Sequence, residues 1–189
     1  MQKNIDAIFL GDSLTFGYGV PKDSCWVTKI INYFNFNALN KGINGDTTAS
    51  MLSRFHNDVI KYNPKIVFIM GGSNDLLLNR PVSYIIENIE LMITDSLSKK
   101  FNVIIGLPPF IVSKMAYGLF SPFSDYELVE NNLIILREQL INLCLKYNIK
   151  YIDFYSLTSG KTELYLDGIH LNKEGNQALF NTALSLFKK

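Results

Sequence analysis

Two histidines leave few places for base chemistry in this chain of 189 residues. His56 lies between Phe55 and Asn57 in a stretch of helical periodicity and reads as an ordinary helix residue. His170 follows Asp167 by three residues, in a loop leading into the last helical pattern. That spacing lets a carboxylate fold back onto the imidazole N–H, hold its tautomer and stabilise the imidazolium. On these two residues alone, an ordinary Asp167-Gly168 turn with His170 capping the next helix is an equal alternative. Ser13, in Gly11-Asp12-Ser13, gives such a base something to act on, since a hydroxyl is a poor nucleophile until its proton is taken. Acyl-bond cleavage also needs donors for a developing oxyanion. The Ser13 backbone N–H, the N–H of Gly45 and the side-chain amide of Asn74 are the candidates. The competing readings are a simple turn at Gly45 and a helix cap at Asn74-Asp75. Asp12 reads as a loop organiser.

These residues need elements that bring them together. Five apolar runs read as strands: Ile5–Leu10, Phe36–Asn40, Ile66–Met70, Val103–Leu107 and Ile149–Phe154. Several are continuous in Ile, Val and Phe, which suits strands covered on both faces of a parallel sheet. Helical spacing marks Thr48–Tyr62, Tyr84–Leu97, Tyr126–Tyr147 and Lys173–Phe187, the last ending in Lys188-Lys189, favourable charges for a helix C-terminus. The strict alternation predicts a three-layer α/β/α sandwich with right-handed crossovers. Residues 1–189 read as one domain, with no repeat, linker or low-complexity tract. Sites in such sheets form at the carboxyl ends of the strands. Gly11-Asp12-Ser13, Gly42 to Asp46 and Gly71 to Asp75 follow the first three strands, and Asp167 to His170 precedes the final helix. Four polar or glycine-rich clusters therefore converge on one edge.

Composition narrows the partners. A formal net charge of +1 without charge runs predicts no nucleic-acid footprint. The apolar runs are far shorter than the roughly 20 residues that cross a bilayer, so no stable membrane insertion is expected. No signal-peptide pattern opens the chain, and a cytoplasmic location is expected. Cys25 and Cys144, in stretches read as helical and without C-x-x-C spacing, read as buried free thiols. Gly160-Lys161-Thr162 lacks the earlier glycine of a phosphate loop, Tyr155 standing there. The long connection Pro108–Asp125 carries Phe110, Met115, Tyr117, Phe120 and Phe123 and leads into Tyr126. It could line an acyl pocket, act as a lid or pack on the core. Tyr18 and Trp26 could stack on a sugar or simply pack.

The ordered blocks resemble those of the GDSL, or SGNH, hydrolases. Gly11-Asp12-Ser13-Leu14 is similar to the first block, Asn40-x-Gly42-x-x-Gly45-x-Thr47 to the second, Gly72-Ser73-Asn74-Asp75 to the third and Asp167-Gly168-Ile169-His170 to the last. The resemblance runs from residue 5 to the final helix. It implies a flavodoxin-like sheet of five parallel strands and a triad of Ser13, Asp167 and His170. It also implies an oxyanion hole of Ser13, Gly45 and Asn74, and no metal or organic cofactor. The activity it implies is cleavage of carboxylic esters or thioesters through an acyl-enzyme on Ser13. The substrate would be a small-molecule ester of small or medium acyl length, such as an acylated lipid or an O-acetylated sugar. The alternative from another class is a non-catalytic flavin- or glycan-binding module on the same sheet. A binding module has no need of all three triad residues.

Overall fold

A run such as Ile66-Val67-Phe68-Ile69-Met70 has no polar face to offer water, so as a strand it needs cover on both sides. The computed structural model, which describes residues 5–117 and 125–187, provides that cover. The strands are β1 (Ala7–Gly11), β2 (Ala38–Gly42), β3 (Ile66–Met70), β4 (Asn102–Leu107) and β5 (Lys150–Asp153). They form one parallel sheet in the order β2-β1-β3-β4-β5. The helices are α1 (Ser13–Phe16), α2 (Trp26–Phe34), α3 (Thr48–Asp58), α4 (Ser73–Leu77), α5 (Val82–Ser98), α6 (Ser113–Tyr117), α7 (Tyr126–Tyr147), α8 (Phe154–Thr158) and α9 (Lys173–Ala183).

Alternate residues of each strand feed two separate cores. Ile8, Leu10, Val67, Ile69, Val103 and Ile105 point to α3, α5 and α7, meeting Met51, Phe55, Ile89, Met92 and Leu133. Ala7, Phe9, Phe68, Met70, Ile104 and Ile152 point the other way, onto Trp26 and Ile30 of α2, Leu179 of α9 and Phe154. The sandwich is thus three-layered, as its alternating pattern predicts. In the register, Gly11 stands opposite both Gly42 and Met70, so β1, β2 and β3 end flush. Between β1 and β3 the strand order reverses direction, opening the crevice where α/β sheets bind ligands. Among the described residues no helix is long and apolar enough to cross a membrane.

Several boundaries differ from the sequence reading. The second strand begins at Ala38 rather than Phe36, because Phe36 stacks on Phe34 outside the sheet, with ring centroids 5.2 Å apart. Phe154 is not the end of β5 but the start of α8, which Asp153 caps by accepting the Ser156 N–H at 3.0 Å. The third and last helices stop at Asp58 and Ala183. The residues beyond them, Ile60–Tyr62 and Leu184–Leu186, tighten into 3₁₀ turns. Cys25 precedes α2 as its N-cap, and both cysteines are buried and free. Lys188 and Lys189 lie outside the described residues, as do Phe120 and Phe123.

Candidate active site

Ser13 is the first residue of α1, directly beyond β1. Its turn is set by Asp12, whose Oδ1 accepts the Leu14 N–H at 2.9 Å. This is the organising role expected of that aspartate: a short acidic side chain satisfies an amide that a helix start leaves without a helical partner. The first turn is pinned further by Trp26, whose Nε1–H donates to Leu14 O at 3.0 Å. Asn40 donates to Thr15 O at 2.8 Å. Trp26 is fully buried, so of its two sequence readings the packing one holds.

His170 arrives from the opposite side of the crevice. Asp167 Oδ1 accepts the backbone N–H groups of Ile169 at 2.9 Å and His170 at 2.7 Å, closing a tight Asx-type turn. The other oxygen, Oδ2, lies 2.7 Å from His170 Nδ1, and Nε2 of the same ring lies 3.0 Å from Ser13 Oγ. Gly168 takes φ +91, and a Cβ there would sit 2.6 Å from Val112 O and 2.7 Å from Ala116 N. Only glycine serves at that point. The Val112 N–H in turn donates to Gly168 O at 2.8 Å. The described part of the long connection thus braces the histidine turn. Phe110, Val112 and Met115 pack on the core side of α2 and α9, and Tyr117 remains exposed.

Gly45 and Asn74 complete the edge. Gly45 is exposed at φ +75, with nothing within 4 Å of where a Cβ would stand. Asn74 is in α4, and its Nδ2 donates to Asp46 O at 2.9 Å, which ties the loop after β3 to the loop after β2. The Asn74-Asp75 pair does not cap α4; Gly72 stands at that position. Behind Ser13 and His170 lies a hollow of ≈ 10 Å³ walled by Leu14, Gly17, Leu171 and Asn176, room for about one water. The far larger hollow of ≈ 490 Å³ sits at the opposite, amino end of the sheet, beside Phe36, Phe101, Tyr147 and Phe187, away from all of these groups.

The comparisons with known proteins agree with one another. The sequence profile of the GDSL-like lipase/acylhydrolase family matches residues 9–178. The chain belongs to this family. It is similar to an arylesterase of Vibrio mimicus, 28% identical over 134 residues, covering 65% of this chain and 67% of the relative. It is also similar to the lipoprotein YqeF of Bacillus subtilis (strain 168), 40% identical over 77 residues, covering 37% of this chain and 32% of the relative. Among solved structures, a member of the lipolytic G-D-S-L family from Veillonella parvula superposes with a TM-score of 0.82 at 28% identity, covering 96% of this chain and 97% of that one. The protein is therefore a GDSL-type esterase/acylhydrolase.

Around the four signature blocks of this GDSL chain runs a polar network that the sequence did not announce. Arg54 of α3 pairs with Asp46 at 2.6 Å and Asp58 at 2.8 Å, and donates to the carbonyls of Gly11 at 3.1 Å and Lys41 at 3.0 Å. One guanidinium thereby fastens the ends of β1 and β2. Asp75, fully buried, accepts from Thr48 N at 2.9 Å and Thr48 Oγ1 at 2.8 Å, and Asn88 donates to that hydroxyl at 3.1 Å. The four-residue spacing of Arg54 and Asp58 reads as an exposed helix pair, and nothing local shows that it turns inward. Burial pushes the Asp12 carboxyl up to about 7 against the pull of the Leu14 N–H, with Asp46 and Asp75 adding to the rise. Burial also raises Asp75, with its Thr48 bonds opposing.

Proposed function

We propose that Ser13 is the nucleophile of a two-step ester cleavage, with His170 as general base and Asp167 holding the imidazole. The observation that carries this reading is the continuous chain from Asp167 Oδ2 through both ring nitrogens of His170 to Ser13 Oγ, at 2.7 and 3.0 Å. As Ser13 Oγ attacks the acyl carbon, its proton passes to Nε2, and the imidazolium is stabilised by Asp167. Collapse of the tetrahedral adduct breaks the bond to the alcohol or thiol, which leaves with the proton from Nε2. Water then attacks the acyl-serine, giving its proton to the same nitrogen, and the acid is released with Ser13 restored. The oxyanion of each adduct is held by the N–H groups of Ser13 and Gly45 and by Asn74. An amide NH₂ has two donors, and only one of Asn74's is committed to Asp46 O.

The substrate proposed is a small- or medium-acyl carboxylic ester or thioester, such as an O-acetylated sugar or an acylated lipid. The arylesterase relative supports a carboxylic ester as the bond cleaved. The same reading takes residues 1–189 as one hydrolase domain. It places the enzyme in the cytoplasm, which two buried free thiols suit; the lipoprotein relative marks the competing location, and cell fractionation separates them.

The test is hydrolysis of p-nitrophenyl acetate and p-nitrophenyl octanoate by the wild type and by Ser13→Ala. The wild type should turn over at least one of the two, their ratio sorting small-acyl from lipid-like substrates, and the variant should lose at least ~10³-fold of the rate. Comparable turnover by Ser13→Ala would sink the assignment of the nucleophile.

A further inference from the structure

We propose that Tyr18 is a positioning residue for His170: its ring lies on the imidazole and favours the imidazolium form that appears when Ser13 gives up its proton. The inference rests on the reading of His170 as the base. The two ring centroids are 4.4 Å apart with planes tilted by 43°. Asp167 and Ser13 occupy the nitrogens in the ring plane, so the aromatic addresses what they leave, a face. The face of an aromatic ring carries negative quadrupole density that attracts a cation within about 6 Å.

Tyr18 is built into the site rather than draped over it. Its backbone N–H donates to Ser13 O at 3.0 Å, so ring and nucleophile share one turn. Behind it, Leu166 Cδ1 lies 2.5 Å from where a Cβ on Gly19 would stand, and the Leu166 N–H donates to His170 O at 2.8 Å. The tyrosine turn and the histidine turn are therefore locked to each other. Yet Tyr18 is 46% exposed, more than core packing requires of so large a side chain. The titratable groups on elements packed against His170 are Asp167 on its own turn and Asp12 and Tyr18 from the β1–α1 side. The exposed Lys114 and Tyr117 of α6 and the exposed Lys173 and Glu174 of α9 are the others among the described residues. Tyr18 is in ring contact with the imidazole.

The experiment exploits the two histidines of the chain. NMR titration of ¹³C-labelled imidazoles gives two curves, with His56, exposed on α3, as internal reference. Wild type, Tyr18→Phe and Tyr18→Leu are compared, since leucine keeps the cover but removes the ring. In Tyr18→Leu the His170 midpoint should fall by about half a unit. Its upfield ring-current shift should vanish, and kcat on p-nitrophenyl acetate should drop about three- to tenfold with KM nearly constant. Tyr18→Phe should restore all three readouts, and His56 should not move. A His170 curve in Tyr18→Leu that overlays the wild type, a loss confined to KM, or failure of Tyr18→Phe to restore would overturn the proposal. Full activity in Ser13→Ala is a separate outcome: it removes the catalytic reading of His170, and with it this role, whatever the titration shows.

Discussion

The two walls of the crevice are built on opposite principles. The wall carrying Gly45 and Asn74 is held by contacts far apart in sequence. Arg54 reaches back to Gly11 and Lys41, Asp75 reaches to Thr48, and Asn74 is steered by Asp46. The wall carrying His170 is almost self-contained. Asp167 sets the turn, satisfies two amides and orients the ring, all within three residues. Distributed support holds the proposed donors in place but exposes them to damage at a distance. Local support confines its weak points to a few residues, of which Gly168 is one.

Breaking the local wall should cost the most turnover. Asp167→Asn keeps the acceptor that shapes the turn but presents the wrong partner to Nδ1. It should lower kcat by roughly 10³–10⁴ with little change in melting temperature. A loss below tenfold would show that the turn, not the carboxylate charge, is what His170 needs. On the distributed wall, Asn74→Ala should lower kcat by roughly 10²–10³, the scale of one lost oxyanion donor; a fall of less than threefold would remove Asn74 from that role. Arg54→Met touches no substrate. It should nevertheless reduce kcat about tenfold and destabilise the fold by about 2–3 kcal/mol, since it leaves Asp46 and Asp58 without their shared cation. If urea unfolding shows the stability loss while kcat is unchanged, support and catalysis are separable on that wall.

The smallest effect on rate belongs to Asp12→Asn, which keeps the acceptor for Leu14 N–H. Here the readout is stability against pH. Burial raises the folded carboxyl to about 7, well above the ordinary carboxylate range. Its relative stabilisation is therefore full below about pH 4 and lost as the pH climbs through 7. Wild-type stability relative to Asp12→Asn should decline over that window by up to about 4 kcal/mol. Parallel denaturation midpoints from pH 4.5 to 8 would show that Asp12 does not titrate there.

What sequence revealed follows the same division. β3 and the long α7 match their predicted bounds because each is set by its own apolar pattern. The pairing of Asp167 with His170 was legible for the same reason, four consecutive residues containing its hydrogen bonds. The edge strand β2 was displaced because Phe36 and Phe34 find each other off the sheet, a pairing no local pattern encodes. Arg54, Thr48 and Asn88 went unnoticed because their partners are settled only when α3 and α5 pack together. Gly45 and Asn74 were named as candidate donors from their chemistry and from the ordered blocks, while the bond that joins Asn74 to Asp46 was not foreseen.

One buried thiol has a consequence for observing this enzyme at work. Cys25 sits beneath the Ser13 turn: its Sγ lies 2.7 Å from where a Cβ on Gly17 would stand and points to Thr15 O at 3.7 Å. No reagent can reach that sulfur while the turn is closed over it. Labelling of Cys25 therefore requires the structure around the Ser13 turn to open, and should slow when a Ser13-directed inhibitor holds that turn in place. The protein thus carries a thiol reporter directly under the turn that bears Ser13.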